Sequence, residues 1–520
     1  MIDIKNAPTL ETVAAKLPRV FEAATRATTL LRNAWSPERG APVYTRAGEY
    51  TTRGWTEWTQ GFQFGNAIYL FEATDDPAML DYGRDGTLRH MATHVTHTGV
   101  HDHGFNNVST YGNLLRLMAE GRIEGDAWQA DFYRLALKLS GAVQASRWTD
   151  LADGLGYVPS FNGPHSLFSD TIRSMRALAV AHQLGHVLMG EQDKRVSLLQ
   201  RLLQHALATA TYNVYYGEGR DSWDVRGRTV HESIFNVNNG VYRCPSTQQG
   251  YAPFTTWTRG LSWIVSGFAE ELEWLATVPE EDFAALGEPA GTGERAGCAG
   301  TGDPAETDGR AGRVPDLADR GAMEAAFLRA ACATADFFLA NTPTDGVPYW
   351  DTGAPGLAKL GEYLNRPADP FNAHEPVDSS AAAITAQGLW RLGTYLDAHA
   401  ERLAAVGIDL NGDGARNYHV DEICERGRDY RCAALVCADA LFDEPYLSTG
   451  GEHQGILLHT IYHRPNGWDY VPPGGAVPQG ESCMWGDYHL LELAVMLKRE
   501  DEGAGAQRFF DIGPAEGAPR

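Results

Sequence analysis

The sequence predicts an all-α protein, an (α/α)6 barrel in which six inner and six outer helices form a single domain with a loop-rich mouth. Segments with apolar residues at helical spacing recur throughout the chain, and long runs of strand-like alternation are scarce. The intervening loops repeat one composition, rich in Gly, Pro, Asn, Asp and aromatic residues. We therefore expect successive helix pairs whose loops converge at one end of a toroid.

Helical periodicity can be followed along the whole chain. In the first half it occurs in "LETVAAKLPRVFEAATRATTLL", "WQADFYRLALKLSGAVQASRW", "TIRSMRALAVAHQLGHVLMG", "KRVSLLQRLLQHALATATYNVYY" and "RGLSWIVSGFAEELEWLA". In the second half it occurs in "EAAFLRAACATADFFLANT", "SSAAAITAQGLWRLGTYLDAHAERL", "EICERGRDYRCAALVCADALF" and "MWGDYHLLELAVMLKRE". Shorter segments near 62–73, 83–97, 107–119 and 450–460 bring the expected total to about a dozen helices.

One stretch of the chain interrupts this pattern. Residues 287–316 are rich in Gly, Ala and charged residues and poor in large apolar ones. They predict a flexible surface insertion within 281–318, although they could instead divide two domains. Because similar loops occur on both sides, we favour one catalytic barrel domain over residues 1–500, followed by a disordered tail over 501–520.

Composition limits the kinds of partner. A formal net charge of -24 and a pI near 5.1 argue against binding to nucleic acid or to anionic membranes. An acidic small substrate is still compatible, because one or two arginines in a closed site outweigh a distant surface charge. The first residues lack a leader pattern, and the seven cysteines include no CxxC pair, so we expect a cytoplasmic monomer or small homo-oligomer.

A metal site was considered at three histidines. His94, His97 and His101 have the spacing of one helix face and could together bind zinc. However, Gly99 interrupts that helix, and the sequence has no HExxH motif and no second Cys/His cluster. We therefore expect neither a metal nor another cofactor.

Two aspartates are the candidate catalytic carboxylates. Asp102 and Asp170 each precede a helical segment, so each could also be an N-cap that accepts hydrogen bonds from free amides. The inner helices of a toroid begin at its mouth, so a residue in that position can also face a substrate. The sequence leaves capping and catalysis open.

The stretch "STQQGYAPFTTWTRGLSW", residues 246–263, concentrates groups that suit an acidic sugar. Trp257 could stack on the ring, and Arg259 could pair with a carboxylate through two hydrogen bonds. Alternatively, Arg259 holds the loop by donating to backbone carbonyls. Trp350, Asp351 and Asp378 occur in similar settings and could be structural turns and caps.

With these residues assembled, the chain resembles glycoside hydrolase family 88, the unsaturated glucuronyl hydrolases, and less closely the rhamnogalacturonyl hydrolases of family 105. The resemblance rests on an ordered set of motifs between about 101 and 384 and on a closing segment. The motifs are "HDHGF", "SDTIRSM", "HESIFNVNNG", "QQGYAPFTTWTRGLSW", "VPYWD", "DSSAAAI" and "ESCMWGDYHLLELAV".

The resemblance implies a glycosidase that removes a 4,5-unsaturated uronic acid from the non-reducing end of oligosaccharides produced by polysaccharide lyases. An acid protonates C4 of the vinyl ether, water adds at C5, and the hemiketal opens. Carried over by motif, Asp170 is the general acid and base and Asp102 the supporting carboxylate. The residues implied to line the sugar site are His101, His231, Gln249, Trp257 and Arg259.

The chain departs from the family pattern at several positions. Arg173 stands where an apolar or amide residue is usual, His103 replaces an apolar residue, and "NVN" follows Phe235. Three other functions therefore stay open at this stage. They are a uronic-acid glycosidase acting by ordinary hydrolysis, a sugar 2-epimerase-like isomerase that uses the histidines at 94–103, and a non-catalytic oligosaccharide binder.

Overall fold

Helices alternate along the chain between an outer and an inner ring in this computed structural model, which describes residues 1–53, 57–287, 314–412, 418–510 and 512. The helices are α1 Leu10–Ala14, α2 Leu17–Ala34, α3 Gln60–Thr74, α4 Pro77–His90, α5 Ala92–Val95, α6 Asn113–Ala119, α7 Ala127–Ser146, α8 Thr171–Ser174, α9 Arg176–Gln183, α10 Leu198–Tyr212, α11 Thr258–Leu275, α12 Glu280–Gly287, α13 Arg320–Asn341, α14 Ser379–Ala405, α15 Val420–Leu441 and α16 Met484–Asp501.

The inner ring has six positions within the described part of the chain. It consists of α3, the π-helix Gly104–Gly112 that continues into α6, the kinked pair α8–α9, α11, α14 and α16. These inner elements contact one another in chain order, and α16 closes the ring against α3. The outer ring consists of α2, α4, α7, α10, α13 and α15. The predicted (α/α)6 barrel is confirmed.

Burial distinguishes the two rings. Inner α3 is buried on all sides from Gly61 to Glu72, whereas outer α2 buries one face, as an amphipathic helix does. The inner helices also cross closely. A Cβ atom on Gly61 would lie 2.4 Å from the Cα of Asn106, and one on Gly388 would lie 2.8 Å from the Cα of Ser266. Glycine at these crossings allows the inner ring to be narrow.

Short antiparallel strands lie in the loops between the helices. The strands are β1 Tyr44–Arg46, β2 Glu49–Thr51, β3 Thr149–Asp150, β4 Gly156–Tyr157, β5 Ser166–Phe168, β6 Leu188–Met189, β7 Arg195–Val196, β8 Glu232–Phe235 and β9 Tyr242–Ser246. The strands β5, β8 and β9 form a three-stranded sheet that joins the loop before α8 to the loop before α11. The helix predicted near 450–460 is wrong, because this segment is a loop with one bridge between Leu447 and Leu457.

The predicted insertion and tail have different outcomes. Residues 288–313, most of the predicted 281–318 insertion, lie outside the described residues, and α12 occupies the positions before them. In the predicted tail, residues 501–505 are exposed, and the chain packs against the barrel from Gln507 to Phe510. Gln507 is buried, and Phe509 and Phe510 belong to the hydrophobic core. Residues 511 and 513–520 lie outside the described part of the chain.

Candidate active site

A cavity of about 560 Å³ lies where the inner helices begin. Its walls come from the segments before α3, the π-helix, α8, α11 and α16, so distant parts of the sequence meet there. The lining residues are Trp58, His101, Asp102, Phe105, Phe161, Asp170, Thr247, Gln248, Gln249, Trp257, Arg259, Trp263, Tyr462, His463, Asn466 and Trp468. Of the seven predicted site residues, six line this cavity and His231 lies behind it.

The two candidate carboxylates meet at one imidazole. His101 Nε2 lies 3.6 Å from Asp102 Oδ1 and 3.5 Å from Asp170 Oδ1, and all three residues are buried. Apart from these contacts at 3.5 and 3.6 Å, the two ring nitrogens of His101 and Oδ1 of Asp170 have no hydrogen-bond partner in the protein. Buried polar atoms are normally paired, so these atoms are available to a ligand that enters the cavity.

Burial and mutual charge set the protonation of this cluster. Burial opposes the charge on His101, but Asp102 and Asp170 outweigh it and raise the pKa of the imidazole. Burial would also raise the pKa of Asp170, but the charge and close contact of His101 outweigh this and lower it. Burial, together with the charge of Asp170, raises the pKa of Asp102 despite His101 and Arg147. In the free cavity, Asp102 is therefore the carboxyl with the raised pKa, Asp170 is the one with the lowered pKa, and the proton beside Asp170 is on His101.

Neither carboxylate caps a helix. Asp170 occupies the N-cap position of α8 without any side-chain capping hydrogen bond, and none forms at the start of the π-helix after Asp102. By contrast, Asp378 accepts a hydrogen bond from the Ser380 amide, 3.1 Å away, and is a true cap of α14. The capping alternative is therefore wrong for Asp102 and Asp170.

His231 supports the wall of the cavity instead of lining it. Its Nδ1 accepts hydrogen bonds from the backbone amides of Gln248, at 3.0 Å, and Gln249, at 3.4 Å. Because Nδ1 accepts, the proton of the neutral ring is on Nε2. Burial lowers the pKa of His231 to about 4, so the ring stays neutral and fixes the glutamine pair.

Arg259 lines the cavity, but its guanidinium is already occupied. Nη1 donates to Asp378 Oδ2 at 2.7 Å and to the Ile461 carbonyl, and Nη2 donates to the Tyr462 carbonyl at 2.8 Å. Nη2 also donates to Gln249 Oε1 at 2.9 Å. The predicted bidentate pairing of Arg259 with a substrate carboxylate is therefore wrong for this arrangement, and the alternative in which Arg259 holds the loops is correct.

Gln249 gains a defined orientation from Arg259. Since its Oε1 accepts from the guanidinium, its amide nitrogen is left to donate towards the cavity. Trp257 packs its ring edge-on to His231, with centroids 4.7 Å apart, and the Arg259 guanidinium lies 4.6 Å from the Trp257 ring centroid. The side chains of Gln249 and Trp257 are thus held in place before any sugar binds.

The remaining histidines of the 94–103 segment are structural. His103 bonds to Ser140 Oγ at 2.9 Å through Nδ1 and to the His97 carbonyl at 2.7 Å through Nε2, and burial lowers its pKa to about 4. His94 bonds to Gln60 at 3.1 Å, and burial also lowers its pKa to about 4. No group of three or more potential metal ligands occurs among the described residues.

Other carboxylates hold the loops that form the cavity. Asp351 accepts from the Tyr251 amide at 2.8 Å and from the Gly353 amide at 2.9 Å, which fixes the loop after Gln249. Trp350 donates to Glu375 at 2.8 Å and does not reach the cavity. The interpretation of Asp351 as a structural turn residue agrees with these contacts.

Sequence reasoning did not single out several aromatic wall residues. Trp58, Phe161, Tyr462 and Trp468 line the cavity, and Phe161 lies parallel to His101 with ring centroids 6.1 Å apart. The sequence signal for three of these residues was the composition of the loops that contain them. Phe161 lies in "DGLGYVPSFNGPHS" and the last two in "YHRPNGWDYVPPGGAVPQGES", both loops of the repeated kind.

Two curated proteins with similar sequences are unsaturated glucuronyl hydrolases. No model of a known protein family matches the sequence. The curated unsaturated glucuronyl hydrolase of Bacillus sp. (strain GL1) is 24% identical over 478 residues, which cover 89% of this chain and 92% of that protein. The resemblance to unsaturated glucuronyl hydrolases is confirmed. A second such hydrolase, from Formosa agariphila, is 22% identical over 341 residues, 65% of this chain and 64% of its own length.

The fold of these hydrolases matches as well. The crystal structure of the unsaturated glucuronyl hydrolase from Bacillus sp. GL1 superposes with a TM-score of 0.62 at 21% sequence identity. The match covers 96% of this chain and 100% of that one. At this identity, the likeness establishes the barrel and leaves the chemistry to the side chains.

Proposed function

We propose that the protein is a glycoside hydrolase that removes a 4,5-unsaturated uronic acid from the non-reducing end of lyase-derived oligosaccharides by hydrating its vinyl ether. The observation that carries this proposal is the buried Asp102–His101–Asp170 cluster, whose unpartnered atoms face a cavity walled by aromatic rings. Related hydrolases support the substrate class, since one structure is of a complex with dGlcA-Glc-Rha-Glc and another with dGlcA-GalNAc6S.

The reaction begins with a proton near Asp170. In the free cavity this proton is on His101, 3.5 Å from Asp170 Oδ1. When the sugar displaces water, the lower dielectric favours transfer to Asp170, because an ion pair becomes two neutral groups. Asp170 then protonates C4, and positive charge develops at C5 and the ring oxygen. The negative charge shared by Asp102 and the newly formed Asp170 carboxylate stabilises that cation.

The second half returns the proton. The Asp170 carboxylate accepts a proton from a water molecule as its oxygen attacks C5. One water has then been added across the C4–C5 bond, and Asp170 is protonated again. The resulting hemiketal opens and releases the remaining oligosaccharide as an alcohol. No cofactor is consumed at any step.

The substrate carboxylate is assigned to Gln249. Its amide nitrogen is free to donate, and the positive charge of Arg259 lies directly behind its Oε1. Trp257, Trp58 and Phe161 provide the apolar surfaces on which a pyranose packs.

The other functions have less support in the site. An isomerase that used the histidine cluster would need two mobile imidazoles, but His94 and His103 are buried and hydrogen-bonded away from the cavity. A binder whose aspartates only cap helices is disfavoured because neither aspartate caps. Ordinary hydrolysis of the uronide at C1 stays as the alternative that the experiment below must separate.

The test follows the ultraviolet absorbance of the conjugated alkene on a panel of lyase products, with the Asp170→Asn variant as the inactive control. Loss of absorbance with the wild type alone is expected. Running the reaction in heavy-oxygen water then places the label at C5 for hydration and at C1 for ordinary hydrolysis. A folded wild type that leaves every unsaturated product unchanged would falsify the proposal.

Two finer predictions belong to the same proposal. The free thiols of the six described cysteines support a cytoplasmic location, where reducing conditions prevail. Within the described residues, no helix combines the length and apolar character needed to cross a bilayer. The protein is proposed to act as a monomer or small homo-oligomer.

A further inference from the structure

A second buried cation lies inside the barrel, deeper than the cavity. Arg173, one turn after Asp170, is fully buried between two glutamates. Its Nε donates to Glu270 on α11, and its Nη2 lies 3.2 Å from both oxygens of Glu492 on α16. Its Nη1 donates to His489 Nε2 at 3.0 Å. Arg173 therefore ties the start of α8, where Asp170 lies, to two other inner helices, α11 beside it and α16 across the ring.

Arg176 connects the same cluster to the segment that carries Asp102. Its Nη1 lies 3.7 Å from Glu270 and 3.8 Å from Glu492. Its Nε donates to the Gly104 carbonyl at 2.9 Å, and its Nη2 donates to Ser109 Oγ at 3.0 Å. The π-helix after Asp102 is thus bonded to the ion cluster that holds α8.

Gly104 brings the two backbones into direct contact. A Cβ atom at this position would lie 2.6 Å from the Cα of Ser174, which is the last residue of α8. Any side chain at 104 would push the π-helix away from α8. The spacing of the two carboxylate-bearing segments therefore depends on this contact and on the two arginines.

The tail closes the cluster from the far end. The Phe509 ring covers the guanidinium of Arg176, with its centroid 4.2 Å from Cζ, and lies 5.9 Å from Arg173. Gln507 accepts from Arg391 at 2.9 Å and donates to Tyr69 at 2.7 Å. The space left beneath the cluster is about 10 Å³, which is too small for a bulk-like water cluster.

We propose that Arg173 and Arg176 are positioning residues that set the Asp102–His101–Asp170 spacing, and that Phe509 keeps their ion cluster dry. This inference rests on the proposed function for its kinetic readout, and it assigns neither arginine a contact with substrate. The two arginines and the two glutamates balance in charge. Glu271 beside them is buried without a partner, and its strongly raised pKa keeps it neutral.

The contacts of His101 with its two carboxylates are sensitive to the position of α8. His101 lies 3.5 and 3.6 Å from its two carboxylates, so a shift of α8 by about 1 Å would break one contact and retain the other. Shifts of that size at a reacting group cost on the order of 100-fold in rate.

The first test is Arg173→Lys, which retains the charge and loses the planar fork. We expect kcat to fall roughly 10- to 100-fold with KM changed less than about threefold, and the pH profile of kcat to shift. The charged groups facing His101 are Asp102, Asp170 and Arg147, and its neutral neighbours are His231 and His205.

The matched control is Arg116→Lys. Arg116 is also fully buried and pairs with Glu72, with Nη1 at 3.0 Å, but on α6, away from the cavity. It should lose stability and retain the wild-type kcat and pH profile. If Arg173→Lys also leaves kcat and the pH profile unchanged, the inference is wrong and the cluster is only structural.

A second test leaves the ion pairs intact and adds a structural measurement that does not depend on turnover. Phe509→Leu retains an apolar side chain and admits water, and it should lower kcat severalfold without changing KM. Crystal structures of the wild type, Arg173→Lys and Phe509→Leu then report the distance from His101 Nε2 to Asp170 Oδ1. An unchanged distance in both variants overturns the inference, even if no lyase product is turned over and the proposed function itself fails.

Discussion

Two buried cations in this barrel each lie between two carboxylates, and they differ in their hydrogen bonds. Arg173 has an acceptor for each of its three guanidinium nitrogens, and its partners Glu270 and Glu492 come from two other inner helices, α11 and α16. His101 lies near Asp102 and Asp170, yet neither of its ring nitrogens makes a hydrogen bond in the protein. The Arg173 cluster holds inner helices together, whereas the His101 cluster keeps charged groups available to a ligand.

The difference follows from where each site lies. The Arg173 site is enclosed by inner helices and by Phe509, so its desolvation must be offset within the protein. The His101 site opens to the cavity, where a sugar can complete the missing contacts. Variants at the two sites should therefore differ in stability: those at the open site should lose activity alone, whereas those at the closed site should lose stability together with the activity that depends on the spacing of the carboxylates.

The largest expected effect is at the open site. Asp170→Asn removes the acid and retains the shape, so kcat should fall by about 1,000-fold or more while KM changes little. Asp102→Asn should cost less, about 10- to 100-fold, because it removes only charge stabilisation. Both are measured by alkene absorbance on the best lyase product. Thermal unfolding within a few degrees of the wild type would confirm that neither change acts through folding, and equal losses for the two variants would contradict their assigned roles.

The closed site should respond in stability. Phe509→Ala removes a buried ring over two guanidinium groups and should destabilise the protein by about 3–5 kcal/mol. Phe161→Ala is the control at the mouth, where the ring is 37% exposed, and should cost less than about 1 kcal/mol. Urea unfolding measures both values. Similar losses for the two variants would show that the tail is not part of the core.

The contributions of His101 and His103 to stability should depend on pH in opposite directions. The raised pKa of His101 means that its contribution to stability is present below the unfolded value near 6.5 and is lost as pH rises through the folded pKa. His103 has the opposite sign, because its pKa is lowered to about 4 and stability is lost as pH falls from 6.5 towards that value.

Unfolding free energies of His101→Gln and His103→Gln, each subtracted from the wild type across pH, check this prediction. The two difference curves should slope in opposite directions and change by about 1.4 kcal/mol for each unit of pKa shift. Parallel curves would show that His101 is not charged between its carboxylates.

The smallest expected effect is at a supporting carboxylate. Asp351→Asn retains one of the two acceptors that hold the Tyr251 and Gly353 amides. KM should rise about two- to fivefold, and kcat should be unchanged, since the loss is near 0.5–1 kcal/mol. Steady-state kinetics measures the split. A fall in kcat alone would instead place Asp351 in the chemistry.

The sequence was sufficient for the barrel because helical periodicity and loop composition are local properties. It was also sufficient for the meeting of Asp102, His101 and Asp170, since the family motifs carry that information. The role of Arg259 could not be read from sequence, because its acceptors Asp378, Ile461 and Tyr462 are more than 100 residues away along the chain. The same holds for His103, whose partner Ser140 is on another helix.

The tail shows a second limit of sequence reasoning. Residues 501–510 contain few apolar side chains, so composition alone predicts disorder. The burial of Gln507, Phe509 and Phe510 depends on contacts with Arg176, Arg391 and Tyr69, which are distant along the chain. Arg173 is similar, since an isolated arginine in a helix normally predicts a solvent-facing position.

The π-helix from Gly104 to Gly112 sets the angular position of Asp102. A π-helix holds more residues per turn than an α-helix, so each of its residues turns the chain by less than the roughly 100° of an α-helical residue. If residues 104–112 were wound as an α-helix, everything before them would rotate about the helix axis relative to α6. Asp102 would leave the cavity while the barrel retained its twelve helical positions. The winding of the π-helix therefore determines whether both Asp102 and Asp170 line the cavity or only Asp170 does.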